Sequence, residues 1–412
     1  MRMSLMNLAL AAAAGLATTT PTVTLAQSAP DRPSSARMDW RQAEADILSG
    51  HTQLTFAEDF VKAGEAYFSA DGERIIFQAV PIPPEGEEPS PHYSMYVADL
   101  ERDGSGRVTG IGAPTRLSPD GSANTCGWFH PDDTSRVLFG STLVEPSEDD
   151  QPGYQRGTGR YAWQFPTEME IVTTTIEHPS PKPLFKTPGY TAEGSWSPDG
   201  RSVLYAQVDT ERSKKLGRPD ADLYIYDTGS GDHTPLVTEE GYDGGPFFSR
   251  DGEWICYRSD RRGDNLLQLF IAKLARDDDG RITGIEREVQ VTNNQHVNWA
   301  PYWDPTGRYL IYTTSEVAHF NYEVFAVEVF GADGGLLRLT TPVRVTNAMG
   351  FDGLPVFSPD GDMMMWTAQR NADESGSPSS QLWIADVDRD AIERKLTTAR
   401  MGGMAPAPSE QN

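Results

Sequence analysis

The chain has 412 residues, of which 35 are lysine or arginine and 60 are aspartate or glutamate, giving a net charge of -25 at pH 7. This excess of negative charge argues against nucleic acid and anionic lipid surfaces as partners, because both would be repelled. Most of the acidic residues are expected to form a solvated exterior, which favours solubility and attracts cations or cationic ligands.

Residues 1–26 have the pattern of a secretory signal peptide. Arg2 supplies a positive start, residues 5–16 are apolar and rich in alanine, and small residues at 24–26 suit a cleavage site. We therefore expect a periplasmic or secreted protein. No cysteine follows the apolar run, so a lipid anchor is not expected, and no later apolar stretch reaches the ~20 residues that a membrane span needs. The cysteines at 126 and 256 are interpreted as small buried side chains, not as a disulfide.

An aromatic-Ser-Pro-Asp-Gly type of turn recurs six times along the chain. Its versions are residues 67–72, 128–133, 195–200, 247–252, 302–307 and 356–361. Successive turns lie 52 to 67 residues apart, a spacing that is typical of one four-stranded blade with variable loops. The repeats predict an all-β fold, a six-bladed β-propeller of four-stranded antiparallel blades over residues 51–398.

Each turn is predicted to join the two inner strands of a blade, because its glycine takes a positive φ and its aspartate caps the turn. A third strand alternates aromatic and aliphatic residues, as at 223–227. A fourth strand ends in Leu-Thr or a variant, as at 291–292.

The strand that closes blade 6 has two candidates in the sequence. Residues 53–56 contain a Leu-Thr and precede the first turn, so we expect them to complete the last blade and leave no open sheet edge. Residues 394–398 are the alternative. Residues 27–50 are predicted to be a linker with one short helix, and residues 399–412 a disordered tail.

The recurring turn, the β run after it, the aromatic third strand and the Leu-Thr ending together resemble the WD40-like PD40 repeats of TolB-type propellers. The resemblance extends over residues 53–398, with departures at 132–133 in blade 2 and 304–307 in blade 5. It implies the propeller fold and a periplasmic or secreted setting, but not the role of TolB itself in an envelope complex. TolB carries an additional α/β domain before its propeller, and residues 27–50 are too few to form one.

The loops that lead into the innermost strands of a propeller gather around the channel mouth, and each blade offers one oxygen-bearing side chain there. These side chains stand six or eight residues before the aspartate of the turn or its equivalent: Glu65, Asn124, Glu193, Asp243, Asn298 and Asp352. Four carboxylates and two amides suit a hard cation, chiefly Ca²⁺, or an ammonium-bearing ligand. The alternative is a set of acidic loops whose Asp and Asn residues serve turn geometry.

Longer loops on the same face add further ligand-binding candidates. Residues 144–168 form an insertion that contains Trp163, which could cover the channel or stack on a ligand, or pack only within its own loop. Arg258 stands beside a charged loop of blade 4. His319 and Asn321 occupy the corresponding loop of blade 5.

Motifs for catalysis are missing from the sequence. It contains no Gly-x-Ser-x-Gly elbow, no His-Glu-x-x-His, no phosphate-binding glycine loop and no Cys/His zinc spacing. TolB-like propellers also resemble oligogalacturonate lyases, whose metal is held largely by histidines. The seven histidines of this chain do not repeat in register.

We expect a monomeric, non-enzymatic binding or interaction module whose channel-mouth face holds a peptide, a saccharide or an envelope protein. No cofactor is certain, with Ca²⁺ as the one candidate. The alternative is a metal-assisted hydrolase or lyase of carbohydrate or peptide, with Glu65 and Glu193 as acid and base. A third reading is a structural module of a larger envelope assembly, which a broad exposed apolar patch would favour.

Overall fold

The computed structural model describes residues 39–147, 165–331, 334–337, 340–370 and 379–403. Within them, six antiparallel sheets form the six-bladed β-propeller that the repeats predict. The predicted signal peptide, residues 1–26, lies outside the described part of the chain. Among the described helices, none has the length and apolar character needed to cross a membrane.

The chain enters through a short helix and a strand that belong to the last blade, and then builds blades 1 to 3 in order. The first two elements are α1 (Trp40–Glu44) and β1 (Leu48–Gln53). Blade 1 contains β2 (Phe60–Phe68), β3 (Arg74–Pro81), β4 (Ser94–Arg102), β5 (Val108–Ile111) and β6 (Thr115–Arg116). Blade 2 contains β7 (Asn124–Phe129), β8 (Arg136–Ser141), β9 (Glu170–Thr175) and β10 (Lys182–Pro183). Blade 3 contains β11 (Thr191–Trp196), β12 (Ser202–Val208), α2 (Thr210–Leu216), β13 (Ala221–Asp227) and β14 (His233–Val237).

Blades 4 to 6 repeat the same order of strands. Blade 4 contains β15 (Asp243–Phe248), β16 (Trp254–Ser259), β17 (Gln268–Arg276) and β18 (Ile282–Gln290). Blade 5 contains β19 (Asn298–Trp303), β20 (Tyr309–Ala318), β21 (Asn321–Glu328) and β22 (Val343–Arg344). Blade 6 contains β23 (Asp352–Phe357), β24 (Met363–Ala368) and β25 (Gln381–Val387), with β1 as its outermost strand, and α3 (Arg389–Gly403) follows.

The recurring turn is held by its own side chains. In blade 1, Ser69 Oγ donates to Asp71 Oδ1 at 2.5 Å, and the Arg74 amide donates to Ser69 Oγ at 2.9 Å. The glycine that follows, Gly72, has a φ of 72°, a conformation that favours glycine. In blade 5 an aspartate replaces the serine, and Asp304 accepts the amide of Thr306 at 2.8 Å. The same hairpin therefore forms with different residues.

The direction of the strands separates the loops into two faces. Each innermost strand runs toward its turn, so the six turns lie at one end of the ring. The loops between second and third strands, and the connections between blades, lie at the other end. We call this second end the channel-mouth face.

The start of the chain closes blade 6. Strand β1 pairs with β25 in antiparallel register, with Leu48 opposite Val387 and Gln53 opposite Trp383. The Leu-Thr that follows ends this strand as it does in other blades, because the Leu382 amide donates to Thr55 Oγ1 at 2.8 Å. The pairing strand begins five residues before the predicted 53–56, and its first three residues, 48–50, fall in the range predicted as linker.

The alternative closing segment, residues 394–398, is helical and forms part of α3. The Asp388 side chain accepts the Ala391 amide at 2.8 Å and starts this helix. Ile392 and Leu396, one turn apart, are both buried against blades 5 and 6. The Leu-Thr at 396–397 therefore follows a helical period rather than a strand, and the helix continues past the predicted tail boundary at 399.

A buried ionic cluster anchors the closing segment. The Arg370 guanidinium, with its side chain fully buried, donates to Glu44 Oε1 at 2.8 Å and to Asp352 Oδ2 at 2.7 Å. It also lies over the rings of Trp40 and Trp366, 4.2 and 4.9 Å from their centroids. Burial alone would raise the pKa of Glu44, but hydrogen bonds from His51 and Arg370 lower it below its ordinary value. The cluster joins α1 to two strands of blade 6.

Replacement of Arg370 tests this anchor. Arg370→Met leaves the carboxylates of Glu44 and Asp352 buried without their cation, so we expect the free energy of unfolding to fall by about 3–5 kcal/mol. Urea unfolding at neutral pH measures the change. Arg394→Met, at an exposed pair with Asp388, is the control and should change stability by less than about 1 kcal/mol. Equal effects of the two substitutions would contradict the anchor.

Candidate functional site

Six residues at the same register of the innermost strands share a left-handed backbone conformation. Each stands six positions before the turn aspartate or its equivalent, and their φ values range from 44° to 58°. They are Glu65, Cys126, Glu193, Gly245, Ala300 and Leu354. Only one is glycine, and a non-glycine residue in this conformation costs about 1–3 kcal/mol. All six line one cavity on the axis of the ring.

Three of the left-handed residues are held by hydrogen bonds to the preceding blade. The Glu65 amide donates to Thr367 Oγ1 at 3.0 Å, and the Leu354 amide donates to Thr313 Oγ1 at 2.9 Å. The Gly245 amide donates to the Glu193 carboxylate. These contacts between blades offset backbone strain at three of the six positions.

Four aromatic rings fill the channel directly below this cavity. Tyr67, Trp128, Phe247 and Tyr302 stand four positions before the turn in their blades. Neighbouring centroids are 4.8 to 6.4 Å apart, the shortest distance being that between Tyr67 and Trp128. The cavity is therefore a shallow recess with an aromatic floor. The space open to the centre of a water-sized molecule is about 20 Å³, which is room for one or two waters.

Glu193 is the better paired of the two glutamates in the cavity. Its carboxylate accepts hydrogen bonds from Arg258 Nη2 at 3.0 Å, from the Tyr242 hydroxyl and from the Gly245 amide. Arg258 also donates to the Tyr242 hydroxyl at 3.0 Å and lies 5.5 Å from the centroid of its ring. The negative charge of Glu193 is thus compensated within the site.

In the described part of the chain, Glu65 accepts hydrogen bonds from neutral groups only. Its Oε1 accepts hydrogen bonds from Cys126 Sγ at 2.9 Å and from the Tyr67 hydroxyl at 3.2 Å. Burial raises the pKa of Glu65 above its ordinary value, and the negative charge of Glu193 adds to the rise. Burial, together with Glu65, also raises the pKa of the Cys126 thiol well above its ordinary value. Cys126 is therefore a thiol that donates a hydrogen bond, and not a nucleophilic thiolate.

The four other predicted ring residues hold the loops of the channel-mouth face. Asn124 Nδ2 donates to the Tyr93 carbonyl at 2.8 Å, and Asn298 Nδ2 donates to Asn294 Oδ1 at 2.8 Å. Neither of these amides lines the axial cavity.

The two predicted aspartates are ion-paired away from the cavity. Asp243 accepts from Arg261 at 3.2 Å, and Asp352 belongs to the Arg370 cluster. Burial raises the pKa of Asp243 to about 7 despite this arginine. The structure thus brings Glu65 and Glu193 together at the axis and places the other four residues in the walls.

The remaining predicted residues have separate positions. Arg258 lies in the axial cavity beside Glu193. His319 is exposed at the tip of the β20–β21 hairpin, with its ring 5.8 Å from that of Tyr322. Asn321 is buried and accepts the Gly350 amide at 2.7 Å, which ties this hairpin to the connection into blade 6. Trp163 lies outside the described residues.

The donor atoms of the cavity do not match a calcium site. Ca²⁺ needs six to eight oxygen ligands with free lone pairs, whereas both glutamates already accept hydrogen bonds from hydroxyl, thiol, amide or guanidinium donors. Among the described residues, no group of three or more His, Cys, Asp or Glu side chains is arranged to hold a metal ion.

Sequence reasoning missed six residues of the site. Tyr67 and its three aromatic equivalents are the first residues of the turn motif in blades 1, 2, 4 and 5, but their convergence on the axis follows only from the closed ring. Cys126 shares the register of Glu65 and Glu193, which was the available signal. Tyr242, which contacts Glu193 from the next blade, has no signal in the repeat.

The chain is similar to several solved structures and, over part of its length, to curated proteins. No model of a known protein family matches the chain. Similar solved structures include a putative TolB from Agrobacterium tumefaciens, with 18% identity, a TM-score of 0.47 and coverage of 79% of this chain and 90% of that one. TolB from Acinetobacter baumannii has 15% identity and a TM-score of 0.47, over 77% of this chain and 64% of that one.

Two curated relatives match part of the chain in sequence. An uncharacterised protein of Agrobacterium fabrum is 29% identical over 170 residues, which are 40% of this chain and 51% of that protein. Dipeptidyl-peptidase 5 of Porphyromonas gingivalis is 28% identical over 216 residues, which are 45% of this chain and 30% of the peptidase. The match thus spans about half of the first relative and less than a third of the second.

The raised pKa of Glu65 predicts how its replacement changes stability with pH. A carboxyl whose pKa is higher in the folded state binds its proton more tightly there, so its contribution falls as pH rises from the ordinary value of 4.5 through the folded-state pKa. We expect the stability of Glu65→Gln relative to wild type to increase across this interval and then level off. Urea unfolding at a series of pH values measures it. Glu145→Gln, at an exposed carboxylate of the same face, is the control, and a difference for Glu65→Gln that is constant with pH would contradict the assignment.

Calcium binding is tested by thermal unfolding. Because the glutamate oxygens of the cavity are occupied by hydrogen-bond donors, millimolar Ca²⁺ should leave the Tm within about 1 °C of its value in a chelator. A ligand at a hundred times its Kd would add about 2.7 kcal/mol of stability, so a rise of several degrees that Glu65→Gln abolishes would show that the cavity does bind calcium.

Proposed function

We propose that this chain is a periplasmic or secreted, non-enzymatic binding module that holds a peptide, a saccharide or a partner protein on its channel-mouth face. The observation that carries the proposal is the distribution of exposed apolar side chains. Of the large hydrophobic side chains exposed within the described residues, all but Met401 belong to loops or a strand end on this face: Phe56, Ile82, Val144, Val317, Phe320 and Met349.

Single exposed apolar residues are common on soluble proteins, but their concentration on one face is typical of a binding surface. Phe320 is 83% exposed and Met349 is 68% exposed. The hydrogen bond from the Gly350 amide to Asn321 holds their two loops side by side. Ile82 and Phe56 form a second pair, because the Ile82 amide donates to the Asp59 carbonyl at 3.0 Å.

The alternative, acid and base catalysis by Glu65 and Glu193, has less support in the geometry. A scissile bond would have to reach both carboxylates, whereas the recess between them has room for one or two waters. Glu193 is also engaged by Arg258 and Tyr242. We therefore place binding on the loops that carry these exposed apolar side chains, which we call the rim. We assign a structural role to the axial carboxylates.

A capture experiment with matched variants tests the proposal. Immobilised wild-type protein and the double variant Phe320→Ser/Met349→Ser are compared for retention of proteins and glycans from a cell-envelope extract. We expect at least one component to be retained by the wild type and reduced about tenfold or more by the rim variant, a loss of about 1.4 kcal/mol. Met401→Ser is the control, because Met401 lies in α3, away from the rim. Equal retention by all three proteins would contradict binding at the rim.

A further inference from the structure

The loops that expose the apolar side chains of the rim also carry many exposed carboxylates. We define the rim arc as residues 54–59, 82–93, 142–147, 316–320 and 347–350, which belong to blades 5, 6, 1 and 2. Its exposed carboxylates are Glu58, Asp59, Glu85, Glu87, Glu88, Glu145 and Glu316. No lysine or arginine occurs in these segments. Next to these segments, Lys62 lies against the Tyr93 ring, with its Nζ 4.3 Å from the ring centroid.

The loops of blades 3 and 4 on the same face have the opposite character. Their arginines are paired with carboxylates of the same two blades. Arg212 contacts Asp220 at 2.7 Å, and Arg218 contacts Asp260 at 2.8 Å. Among the described residues, charge is therefore compensated by ion pairs in the loops of blades 3 and 4, whereas the segments of the rim arc contain carboxylates and no lysine or arginine.

We infer that the rim arc binds a cationic polypeptide segment that presents apolar side chains between its lysines or arginines. The inference rests on the proposed function and specifies the partner of that same surface. Apolar side chains of the partner would cover Phe320, Met349, Ile82 and Phe56, while its cations meet the surrounding carboxylates. Such complementarity of charge speeds association and selects among partners, and apolar burial supplies affinity.

The negative charge of the arc disfavours other classes of partner. An anionic membrane surface or a nucleic acid would be repelled by these carboxylates. An acidic peptide would bring like charges together, which costs affinity. A neutral saccharide could stack on the aromatic side chains. It carries no net charge, so the negative charge of the arc would not attract it.

Two synthetic peptides serve as probes. One is an amphipathic helix of leucine and lysine, and the other has the same leucines with glutamate at every lysine. Binding is measured by fluorescence anisotropy at neutral pH and at two salt concentrations. We expect the lysine peptide to bind, with affinity falling as salt increases, and the glutamate peptide not to bind.

Matched variants locate the binding. Phe320→Ser/Met349→Ser removes apolar contacts, and Glu87→Lys/Glu88→Lys reverses charge on the arc. Each double substitution should reduce the affinity for the lysine peptide about tenfold. The controls are Met401→Ser and Asp278→Lys/Asp279→Lys, the latter at exposed carboxylates in the β17–β18 hairpin on the opposite face. The controls should bind within about twofold of wild type.

Each other outcome overturns the inference. No binding of the lysine peptide, equal binding of both peptides, or equal loss in rim and control variants would show that the arc does not select cationic apolar segments. If the peptides fail to discriminate while the extract component still depends on Phe320 and Met349, the proposed function stands and this partner class is wrong.

Discussion

The architecture depends on one constraint, the left-handed residue that recurs at the same place in six innermost strands. At this position the strand bulges and the pairing with the second strand shifts register, as between Ala192 and Ser195 in blade 3. A single residue in this conformation would be unfavourable. In blades 1, 4 and 6 the amide of this residue donates to a side chain of the preceding blade, as Glu65 does to Thr367. The six positions face one axis, where all of them line the cavity.

The side chains that meet at the axis explain why the recess is not an open channel. Two positions farther along the strand, aromatic residues of four blades meet and fill the space below the left-handed residues. The polar groups above this floor satisfy one another, with Arg258 compensating Glu193 and with Cys126 and Tyr67 donating to Glu65. The interior of the ring is thus a packed and hydrogen-bonded unit. The recess that remains at the axis has room for one or two waters and not for a larger ligand.

The sequence predicted the number of blades, their order and the turns, because the turn chemistry is local and repeats with little change. It also predicted that the start of the chain completes blade 6, since Leu54-Thr55 matches the endings of other fourth strands. Residues 394–398 stood as an alternative because Leu-Thr is too short to distinguish a strand from a helix. The buried face that contains Ile392 and Leu396 shows that this segment is helical.

The site was less accessible from sequence for a physical reason. The side chain eight positions before the turn aspartate faces the loops, whereas the one six positions before it faces the axis. The difference arises from the bulge that follows the earlier position. Asn124, Asp243, Asn298 and Asp352 were therefore grouped with Glu65 and Glu193 by spacing, although their hydrogen bonds belong to the walls. The exposed apolar residues of the rim carry no motif at all. They became visible as a group only when the closed ring brought distant loops onto one face.

The most direct test of the central claim is hydrogen exchange of the full chain with and without the leucine-lysine peptide. Binding on the rim predicts slower amide exchange in residues 54–59, 82–93, 316–320 and 347–350, with no change in the turns at 69–72 and 358–361 on the opposite face. Protection confined to the innermost strands around Glu65 and Glu193, or to the opposite face, would contradict it.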